Sequence, residues 1–343
     1  MRRPKFTAGS EEGFFEFMGN LNDKDKVAVV THTDGDGICS AVIAGKVIGK
    51  VDLVEFYGYI PGTFSLIVER LKKTKINKVF IFDLNPSESE MREIEKFAEV
   101  LLIDHHPFEK DLNSERMAFI KSDESSATYV CYYLFSKIQK IPEWIAAMGV
   151  LSDTTYKYSE DNFDSFFSEH GFERIKNLWK ETSDLDMAII YFRHNEEEVY
   201  NLLMKAKNFG ETGLEKYSET VRNEFDRQFK LFEQKKEEHG DLTFYYFEPR
   251  YNVKTLIINR ISTASPHKTI VLSQRMGKEN ILKVSSRRQD KKIDCSLLLR
   301  KSIQGIPNSN GAGHFGAAGG AIPYEYLGNF RENLIREYKK LAG

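Results

Sequence analysis

The most chemically distinctive stretch of the sequence is Asp104-His105-His106, which follows an apolar run over residues 100–103 and precedes a proline. A carboxylate and two imidazoles at the end of a strand-like run are groups that bind metal ions or carry protons. A strand that served only as scaffold would not need them. The stretch therefore predicts a chemical site, provided that partners occur elsewhere in the chain.

Three further polar clusters follow predicted strands or a buried helix: His32, Asp34 and Asp36; Asp83; and Asp153. In an open parallel sheet the carboxyl ends of the strands share one edge, so these clusters are expected to meet in space. Carboxylates gathered in one pocket repel each other unless protons or cations are present. Oxygen-rich donors mixed with imidazole, and without thiolate, favour a divalent metal. Mn²⁺ or Mg²⁺ is preferred, with Fe²⁺ and Zn²⁺ as alternatives.

The elements that must position these residues alternate between strand and helix. Apolar runs predict strands at 26–30, 51–57, 78–82, 100–103 and 118–122, and helical spacing predicts helices at 38–48, 64–73, 87–98, 126–138 and 142–151. Strands and helices that alternate with short connections predict an α/β fold with a doubly wound parallel sheet.

The second half of the chain has a different pattern. Residues 196–238 contain few helix breakers and predict one or two long helices, broken near Gly210. Strand-like runs then predict a second, smaller α/β domain, with strands at 242–247, 255–259, 269–274 and 280–285. We therefore expect a metal-binding domain over 1–185, a helical connector over 186–239 and a substrate domain over 240–343.

Each polar cluster also has a purely structural interpretation. Asp83 or Asp153 would cap a following helix, the Asp-Gly-Asp-Gly sequence at 34–37 would form a tight turn, and the aspartate–histidine–histidine stretch would be a surface turn. Each of these is reasonable alone. Because all four clusters follow strands or a buried helix, their combination favours one shared site.

A second concentrated signal is the glycine- and alanine-rich segment 311–320, which contains Gly311, Gly313 and His314. It matches the spacing of a dinucleotide-binding loop, but a turn cluster precedes it where that loop requires a strand. The remaining interpretations are close packing of small residues and an anion site made by backbone N–H groups and His314. Upstream, residues 283–301 hold seven basic and two acidic side chains. They form either a solvated face or a patch for a nucleic-acid backbone.

The composition restricts the class of protein. With 41% hydrophobic and 29% charged residues and a net charge of -2, the chain is an ordinary globular protein that does not wrap nucleic acid by bulk charge. Its three cysteines are scattered, which predicts a reducing, cytoplasmic location. Since no apolar run reaches the roughly 18 to 20 residues that span a bilayer, we expect no membrane segment.

The four ordered clusters resemble the motifs of the DHH phosphoesterase superfamily, which includes RecJ-like exonucleases and nanoRNase/pAp phosphatases. The resemblance implies two metal sites that share Asp83: His32, Asp34 and Asp83 for one ion, and Asp36, Asp83, His105 and Asp153 for the other. It also implies that His106 contacts the substrate phosphate and that Asp104 orients His105.

Two segments of the second domain are similar to the DHH-associated substrate domain. Segment 311–314 resembles its Gly-Gly-Gly-His motif with alanine at the middle glycine, and the Ser-Ser-Arg-Arg sequence at 285–288 resembles its phosphate-contacting strand end. The resemblance implies substrate binding by five residues: Arg287, Arg288, Gly311, Gly313 and His314. It also implies an active site in the cleft between the two domains.

By this resemblance, the expected function is that of a two-metal exonuclease-type phosphodiesterase that releases mononucleotides from single-stranded or short RNA or DNA. Two alternatives are enzymatic, a pAp phosphatase and a cyclic-dinucleotide phosphodiesterase. A third is a non-catalytic module of replication or repair assemblies, although such relatives usually lose metal ligands. The resemblance also allows a homodimer or a replication or repair partner.

Overall fold

The computed structural model describes residues 2–59, 63–108, 110–123, 126–154, 157–158 and 163–342. The chain divides into two compact units, Met1–Ser218 and Glu219–Gly343. Within the described residues each unit has its own six-stranded sheet packed against helices, which confirms the predicted α/β class. The limits predicted for a separate connector, 186–239, remain a prediction.

The sheet of the first unit has the strand order β1-β6-β5-β4-β2-β3. All neighbouring pairs are parallel except the edge pair of β1 with β6. The central strands are almost continuously apolar because parallel strands are buried on both faces. The strands are β1 (Phe6–Ala8), β2 (Val27–His32), β3 (Leu53–Tyr57), β4 (Lys78–Phe82), β5 (Glu99–Asp104) and β6 (Met117–Ser122).

Helices cover both faces of this sheet. One hydrophobic core packs α2, α5 and α6 against the strands, and the other packs α3 and α4, which confirms the doubly wound arrangement. A capping box at Ser87 starts α4. The helices are α1 (Glu11–Gly19), α2 (Gly35–Ile48), α3 (Thr63–Lys73), α4 (Glu88–Glu95), α5 (Ala127–Phe135), α6 (Glu143–Thr154), α7 (Asp164–His170), α8 (Leu178–Tyr191), α9 (Glu196–Lys205) and α10 (Glu215–Lys235).

The second unit begins within α10 and contains a mixed sheet in the order β11-β12-β10-β9-β8-β7. Only β8 and β9 pair in parallel. One face packs against α12 and α13 in a single core. The elements are β7 (Glu237–His239), β8 (Leu242–Phe247), α11 (Lys254–Ala264), β9 (Thr269–Arg275), β10 (Ile281–Arg287), α12 (Cys295–Ile303), β11 (Asn310–His314), β12 (Ala317–Pro323) and α13 (Leu327–Ala342).

One prediction for the second unit is wrong. The strand predicted at 255–259 is part of α11, and the helix buries Ile257, Ile258 and Ile261. The glycine-rich segment, for which the sequence predicted no strand, forms an antiparallel hairpin of β11 and β12. The predicted break near Gly210 is confirmed, since a short 3₁₀ helix, Phe209–Thr212, separates α9 from α10. Along the described residues, no helix combines the length and apolar character needed to cross a bilayer.

Candidate metal centre

The three central strands of the first sheet bring the predicted ligands to one edge. Strands β5, β4 and β2 are neighbours in that order, so their carboxyl ends lie side by side. His32 ends β2, Asp104 ends β5, and Asp83 follows β4 between them. Asp83 therefore occupies the middle of the edge, with a histidine-bearing strand end on each side.

One set of possible ligands lies on the β2 side. His32 Nδ1 is 2.9 Å from Asp34 Oδ2 and 3.5 Å from Asp83 Oδ2. Ligand atoms of these three residues lie within 4.8 Å of one another. These three residues are therefore close enough together to form the ligand set that the resemblance implies for one metal ion.

A second set lies on the β5 side, around His105. Its Nε2 is 3.3 Å from Asp83 Oδ1, 3.7 Å from Asp36 Oδ2 and 4.0 Å from Asp153 Oδ2. Asp36, His105 and Asp153 also hold ligand atoms within 4.8 Å of one another. The two oxygens of Asp83 thus face two different sets, and its role as a ligand shared by both stays a prediction.

Asp83 adopts a costly conformation to reach this position. Its φ is +55°, in the left-handed region that residues other than glycine rarely occupy. Its side chain is only 2% exposed, although it carries a carboxylate. Strained backbone of this kind is concentrated at functional sites, where the surrounding structure holds it in place. The structure therefore places a buried carboxyl group on a strained backbone at the centre of the cluster.

The charges of the cluster strongly perturb one another. Burial, together with repulsion by Asp36 and Asp34, raises the pKa of Asp83 to about 8. Burial alone would lower the pKa of His32 and of His105, but hydrogen bonds and attraction to the neighbouring carboxylates raise both values to about 10. The pKa of Asp153 is likewise raised to about 6, chiefly by burial. These groups hold protons where the carboxylates converge, and protons and metal ions compete for such atoms.

Asp36 is held by the N-terminus of α5, a feature that the sequence patterns did not indicate. Its carboxylate accepts hydrogen bonds from Ser126 Oγ at 2.8 Å, Ala127 N at 2.9 Å and Thr128 N at 2.7 Å. Ser126 occupies the N-cap position but its side chain does not cap the helix. Asp36 therefore caps a helix from about 90 residues away in the sequence, and no local signal could have revealed this.

The Asp-Gly-Asp-Gly turn allows close approach to neighbouring elements. A Cβ at Gly37 would lie 2.6 Å from His32 O, and one at Gly35 would lie 2.3 Å from Ser152 Oγ, one residue before Asp153. Asp34 also caps α2, since its side chain accepts a hydrogen bond from Gly37 N. The turn thus has a structural role at the start of α2, and its role in metal binding stays a prediction.

The relation predicted between Asp104 and the two histidines is wrong in one respect. Asp104 Oδ1 is 2.9 Å from Nδ1 of His106, and Asp104 Oδ2 accepts from the His106 backbone N–H at 3.1 Å. The buried carboxylate therefore orients His106, whereas His105 turns toward Asp83. The hydrogen bond from Asp104 raises the pKa of the His106 imidazole.

The two arginines predicted to bind substrate face in different directions. Arg288 is 5% exposed; its Nε donates to Asp290 Oδ1 at 2.7 Å and its Nη1 to Thr269 Oγ1 at 3.1 Å. Because this guanidinium is enclosed and paired, the structure contradicts its prediction as a substrate ligand. Arg287 is half-buried and, within the described residues, donates only to the backbone oxygen of Ser286, at 3.2 Å.

The predicted glycines have structural roles in the hairpin. A Cβ at Gly311 would lie 3.1 Å from Leu299 of α12, and one at Gly313 would lie 2.4 Å from Ala317 O. They permit close packing of β11, which is the alternative interpretation of this segment. His314 pairs with Ala317, which also pairs with Arg287. Since directly paired residues share a face, His314 and Arg287 lie on the same side of the sheet.

The donor atoms at the edge of the first sheet fit divalent metal ions. Among the described residues, His32 Nδ1 and Asp83 Oδ2 are buried yet lack a hydrogen bond of good geometry. Buried polar atoms are nearly always satisfied, so these two orphaned ligand atoms suit a cation that would bind between them. A donor set of carboxylates and imidazoles without thiolate favours Mn²⁺ or Mg²⁺.

Family profiles match both units of the chain. The profile described as the DHH family, N-terminal domain, matches residues 26–151, and that of the DHHA1 domain matches residues 244–340. The first match contains the strand-end clusters from His32 to His106 and stops just before Asp153. No curated protein matches the sequence.

Solved structures share the fold at low sequence identity. The crystal structure of RecJ with Mn²⁺ from Thermus thermophilus has a TM-score of 0.65 at 15% identity, covering 96% of this chain and 54% of that chain. Exonuclease RecJ bound to manganese gives 0.68 at 14% identity, covering 99% and 95%. CDC45 from Entamoeba histolytica gives 0.55 at 12% identity, covering 96% and 99%. This chain thus spans about half the length of the Thermus RecJ chain.

Proposed function

Because the chain belongs to the DHH phosphoesterase superfamily, we propose that it is a Mn²⁺-dependent phosphodiesterase that releases mononucleotides from single-stranded or short nucleic acid. The observation that carries this proposal is the position of Asp83, whose two carboxylate oxygens face two separate ligand sets. A non-catalytic relative would have no need to keep a strained, buried carboxylate between two histidines.

The proposed metal ligands are those of the two sets at the sheet edge. His32, Asp34 and Asp83 would hold one ion, and Asp36, His105 and Asp153, together with the second oxygen of Asp83, would hold the other. When bound, two such ions would lower the pKa of a water molecule and neutralise negative charge on the phosphate. Mn²⁺ is favoured over Zn²⁺ because carboxylate oxygens outnumber imidazoles.

The chain's own residues orient the phosphate. Asp104 accepts from Nδ1 of His106 and raises the pKa of that ring, so that the protonated imidazolium would donate from Nε2 to a phosphate oxygen. His106 is partly exposed, so a substrate can reach it. In the second unit, Arg287 and His314 share a face of the sheet and are proposed to contact the backbone of the nucleic acid.

The experiment that tests this proposal is a product time course with Mn²⁺, using end-labelled RNA and DNA from dinucleotides to about 20 nucleotides. We expect mononucleotides to accumulate from the single-stranded substrates. Parallel reactions with pAp and a cyclic dinucleotide separate the two alternative activities. Turnover of either of these alone, with intact oligonucleotides, would contradict the exonuclease assignment.

Asp83→Asn tests the role of the shared carboxylate, because it keeps the size of the side chain and replaces the ionisable group with a neutral amide. We expect hydrolysis to fall by at least about 100-fold. The variant should unfold at no lower temperature than the metal-free wild type, because the substitution relieves repulsion with Asp34 and Asp36. Asp226→Asn, on the exposed face of α10, is the control and should retain activity. Activity of Asp83→Asn close to that of the control would refute the bridging role.

A further inference from the structure

A cleft in the second unit opens between two helices above the sheet. It has a volume of about 300 Å³ and is lined by side chains of α10 and α11 and of the strands β8 and β9 beneath them. Phe229 and Phe232 of α10 form one wall, and Ile261 of α11 belongs to the other. Ligand pockets usually measure about 300 to 1,000 Å³ and have mainly apolar walls. The cleft is therefore large enough for a small ligand of about one ring.

Alternation along β8 shows which face of the sheet the cleft occupies. Leu242 and Phe244 enter the core with α12 and α13. Thr243, which lies between them, therefore faces the opposite side. It pairs with Ile270 of β9, and both residues form the floor of the cleft. Among the described residues, none of β10, β11 or β12 lines the cleft, so it is separate from the surface proposed to contact the nucleic-acid backbone.

Arg260 lies at the rim of the cleft with its guanidinium stacked on aromatic rings of α10. Its Cζ is 4.5 Å from the ring centre of Phe229 and 5.5 Å from that of Phe225. Stacking occupies the face of a guanidinium and leaves the N–H groups at its edge able to donate. Within the described part of the chain, Arg260 has no carboxylate at ion-pair distance and donates no hydrogen bond. The edge of this guanidinium is thus available to a ligand.

The other charged side chains at the rim neutralise one another. Lys236 Nζ is 2.8 Å from Glu233 Oε2, and Lys268 forms an ion pair with Glu238. These four residues line the cleft together with Arg260. Because the two pairs cancel, the guanidinium is the charge among these five that lacks a partner. A ligand with a single negative charge complements such a rim.

The floor of the cleft contains an unsatisfied hydroxyl group. Thr243 is 1% exposed, and its Oγ1 has no hydrogen-bond partner among the described residues. Buried hydroxyl groups are nearly always hydrogen-bonded, because an unpaired one is costly. Rotation about χ1 between staggered positions changes the direction in which the hydroxyl of a threonine points. A polar atom at the inner end of a ligand would therefore give this group its partner.

We propose that the cleft binds a monocyclic aromatic carboxylate. Its ring lies against Phe229 and Phe232, its carboxylate accepts from the edge of the Arg260 guanidinium, and a hydroxyl group at its other end meets Thr243. Guanidinium and carboxylate pair well because two parallel hydrogen bonds join them. A purine base suits the cleft less, because it has more polar edge atoms than one guanidinium and one hydroxyl can satisfy, and each unpaired atom weakens binding.

The test is a titration of the full chain with para-hydroxyphenylacetate at pH 7 in EDTA, followed by saturation-transfer-difference NMR of the ligand. The carboxylate is ionised at this pH, and EDTA removes metal ions that would bind it in the first unit. We expect saturable binding with a dissociation constant of roughly 0.1 to 1 mM, as suits a ligand of this size. Absence of saturable binding to the wild type would overturn the proposal.

Arg260→Met tests the contact with the carboxylate, because methionine keeps an apolar side chain against Phe229. We expect para-hydroxyphenylacetate to bind about three- to tenfold more weakly, since the lost ion pair lies at an exposed rim. Tyrosol, the uncharged alcohol analogue, should bind equally well to variant and wild type. Arg260→Lys keeps the charge without the planar fork, so its affinity should fall between the two.

Arg300→Met is the matched control for the arginine variants. This exposed arginine belongs to α12, which packs on the other face of the sheet. The control should bind para-hydroxyphenylacetate as the wild type does. A preference for the carboxylate over tyrosol that survives in Arg260→Met would overturn the assignment, as would an equal loss of affinity in Arg300→Met.

Thr243→Val tests the floor of the cleft, because valine has nearly the same shape and no hydroxyl. The wild type should bind phenylacetate about threefold more weakly than its para-hydroxy form, and the variant should bind both equally. Without ligand, the variant should unfold at the same urea concentration as the wild type or at a higher one, since an unsatisfied hydroxyl has been removed. A preference for the hydroxylated ligand that survives in the variant would overturn the role of Thr243, as would a lower unfolding midpoint.

A competition experiment separates this ligand class from nucleotides. GMP should not displace para-hydroxyphenylacetate from the wild type. Displacement by GMP that Arg260→Met abolishes would assign the cleft to a nucleobase and overturn the carboxylate. Because binding is measured in EDTA and without hydrolysis, its outcome is independent of the proposed nuclease activity.

Discussion

Lys254 lowers the stability of the folded chain in a way that depends on pH. Its pKa falls from 10.5 to about 8 through burial and the nearby cations. A lysine with a lowered pKa binds fewer protons in the folded than in the unfolded chain between these two values. Stability therefore rises with pH from about 8 to about 10.5, and a shift of this size corresponds to about 3 kcal/mol.

The measurement is urea unfolding of wild type and Lys254→Met between neutral pH and about pH 10. Other groups titrate over the same range, but they are shared by both proteins and cancel in the difference. We expect the wild type to gain up to about 3 kcal/mol relative to the variant as the pH rises. A constant difference across the range would show that Lys254 titrates normally.

Side-chain direction limited what could be predicted at the scale of single residues. The cluster of Asp104 and two histidines was recognised from its chemistry, yet the partner of Asp104 depends on how the chain turns after β5. The two arginines at 287 and 288 were predicted together, although the period of two along a strand already indicates that neighbours face opposite sides. The capping of α5 by Asp36 joins distant segments and has no local signature.

At the scale of elements, the parallel strands were predictable because burial on both faces makes them continuous apolar runs. Helix α11 was mistaken for a strand because its β-branched residues at 255–259 dominate a short window. Its buried positions, Ile257, Ile258 and Ile261, have helical spacing that only a longer window contains. The hairpin of β11 and β12 was missed because glycine carries no strand signal.

Two glycines of the β11–β12 hairpin should respond differently to substitution by alanine. Gly313 has a φ of +153°, and a Cβ there would lie 2.4 Å from the backbone oxygen of Ala317. Gly313→Ala should therefore destabilise the second unit, by about 1 to 3 kcal/mol. Gly319→Ala is the matched control in the same hairpin, since its Cβ meets nothing closer than 3.7 Å.

Urea unfolding followed by far-ultraviolet circular dichroism measures both variants. We expect the control to remain within about 0.5 kcal/mol of wild type. Equal losses in the two variants would show that the hairpin responds to any added side chain. The close approach at Gly313 would then have no special role.

At the scale of the whole molecule, metal binding and contact with the nucleic-acid backbone are proposed for different units of the chain. Every proposed metal ligand lies in Met1–Ser218, and the residues proposed to contact the nucleic-acid backbone, Arg287 and His314, lie in Glu219–Gly343. The sequence indicated both signals, and its domain limits stay a prediction; the division between the compact units falls inside α10, where helical periodicity continues without interruption. A helix of this kind gives no compositional sign of a boundary.

This division allows metal binding to be observed without any substrate. Both tryptophans, Trp144 and Trp179, belong to the first unit, so their fluorescence reports its unfolding. An ion that binds only the folded state stabilises it by about 2.7 kcal/mol at 100 times its dissociation constant. We therefore expect Mn²⁺ or Mg²⁺ to raise the midpoint of this transition, and EDTA to reverse the effect.

Asp83→Asn decides whether such a shift arises at the proposed centre. The variant loses the carboxylate that both ligand sets share, so its midpoint should respond little to either ion. Without metal its midpoint should be equal to or above that of the wild type, because the wild-type carboxyl must either hold a proton at its raised pKa or bear a buried charge beside Asp34 and Asp36, and the amide does neither. An undiminished response to Mn²⁺ in this variant would place the stabilising ion elsewhere in the molecule.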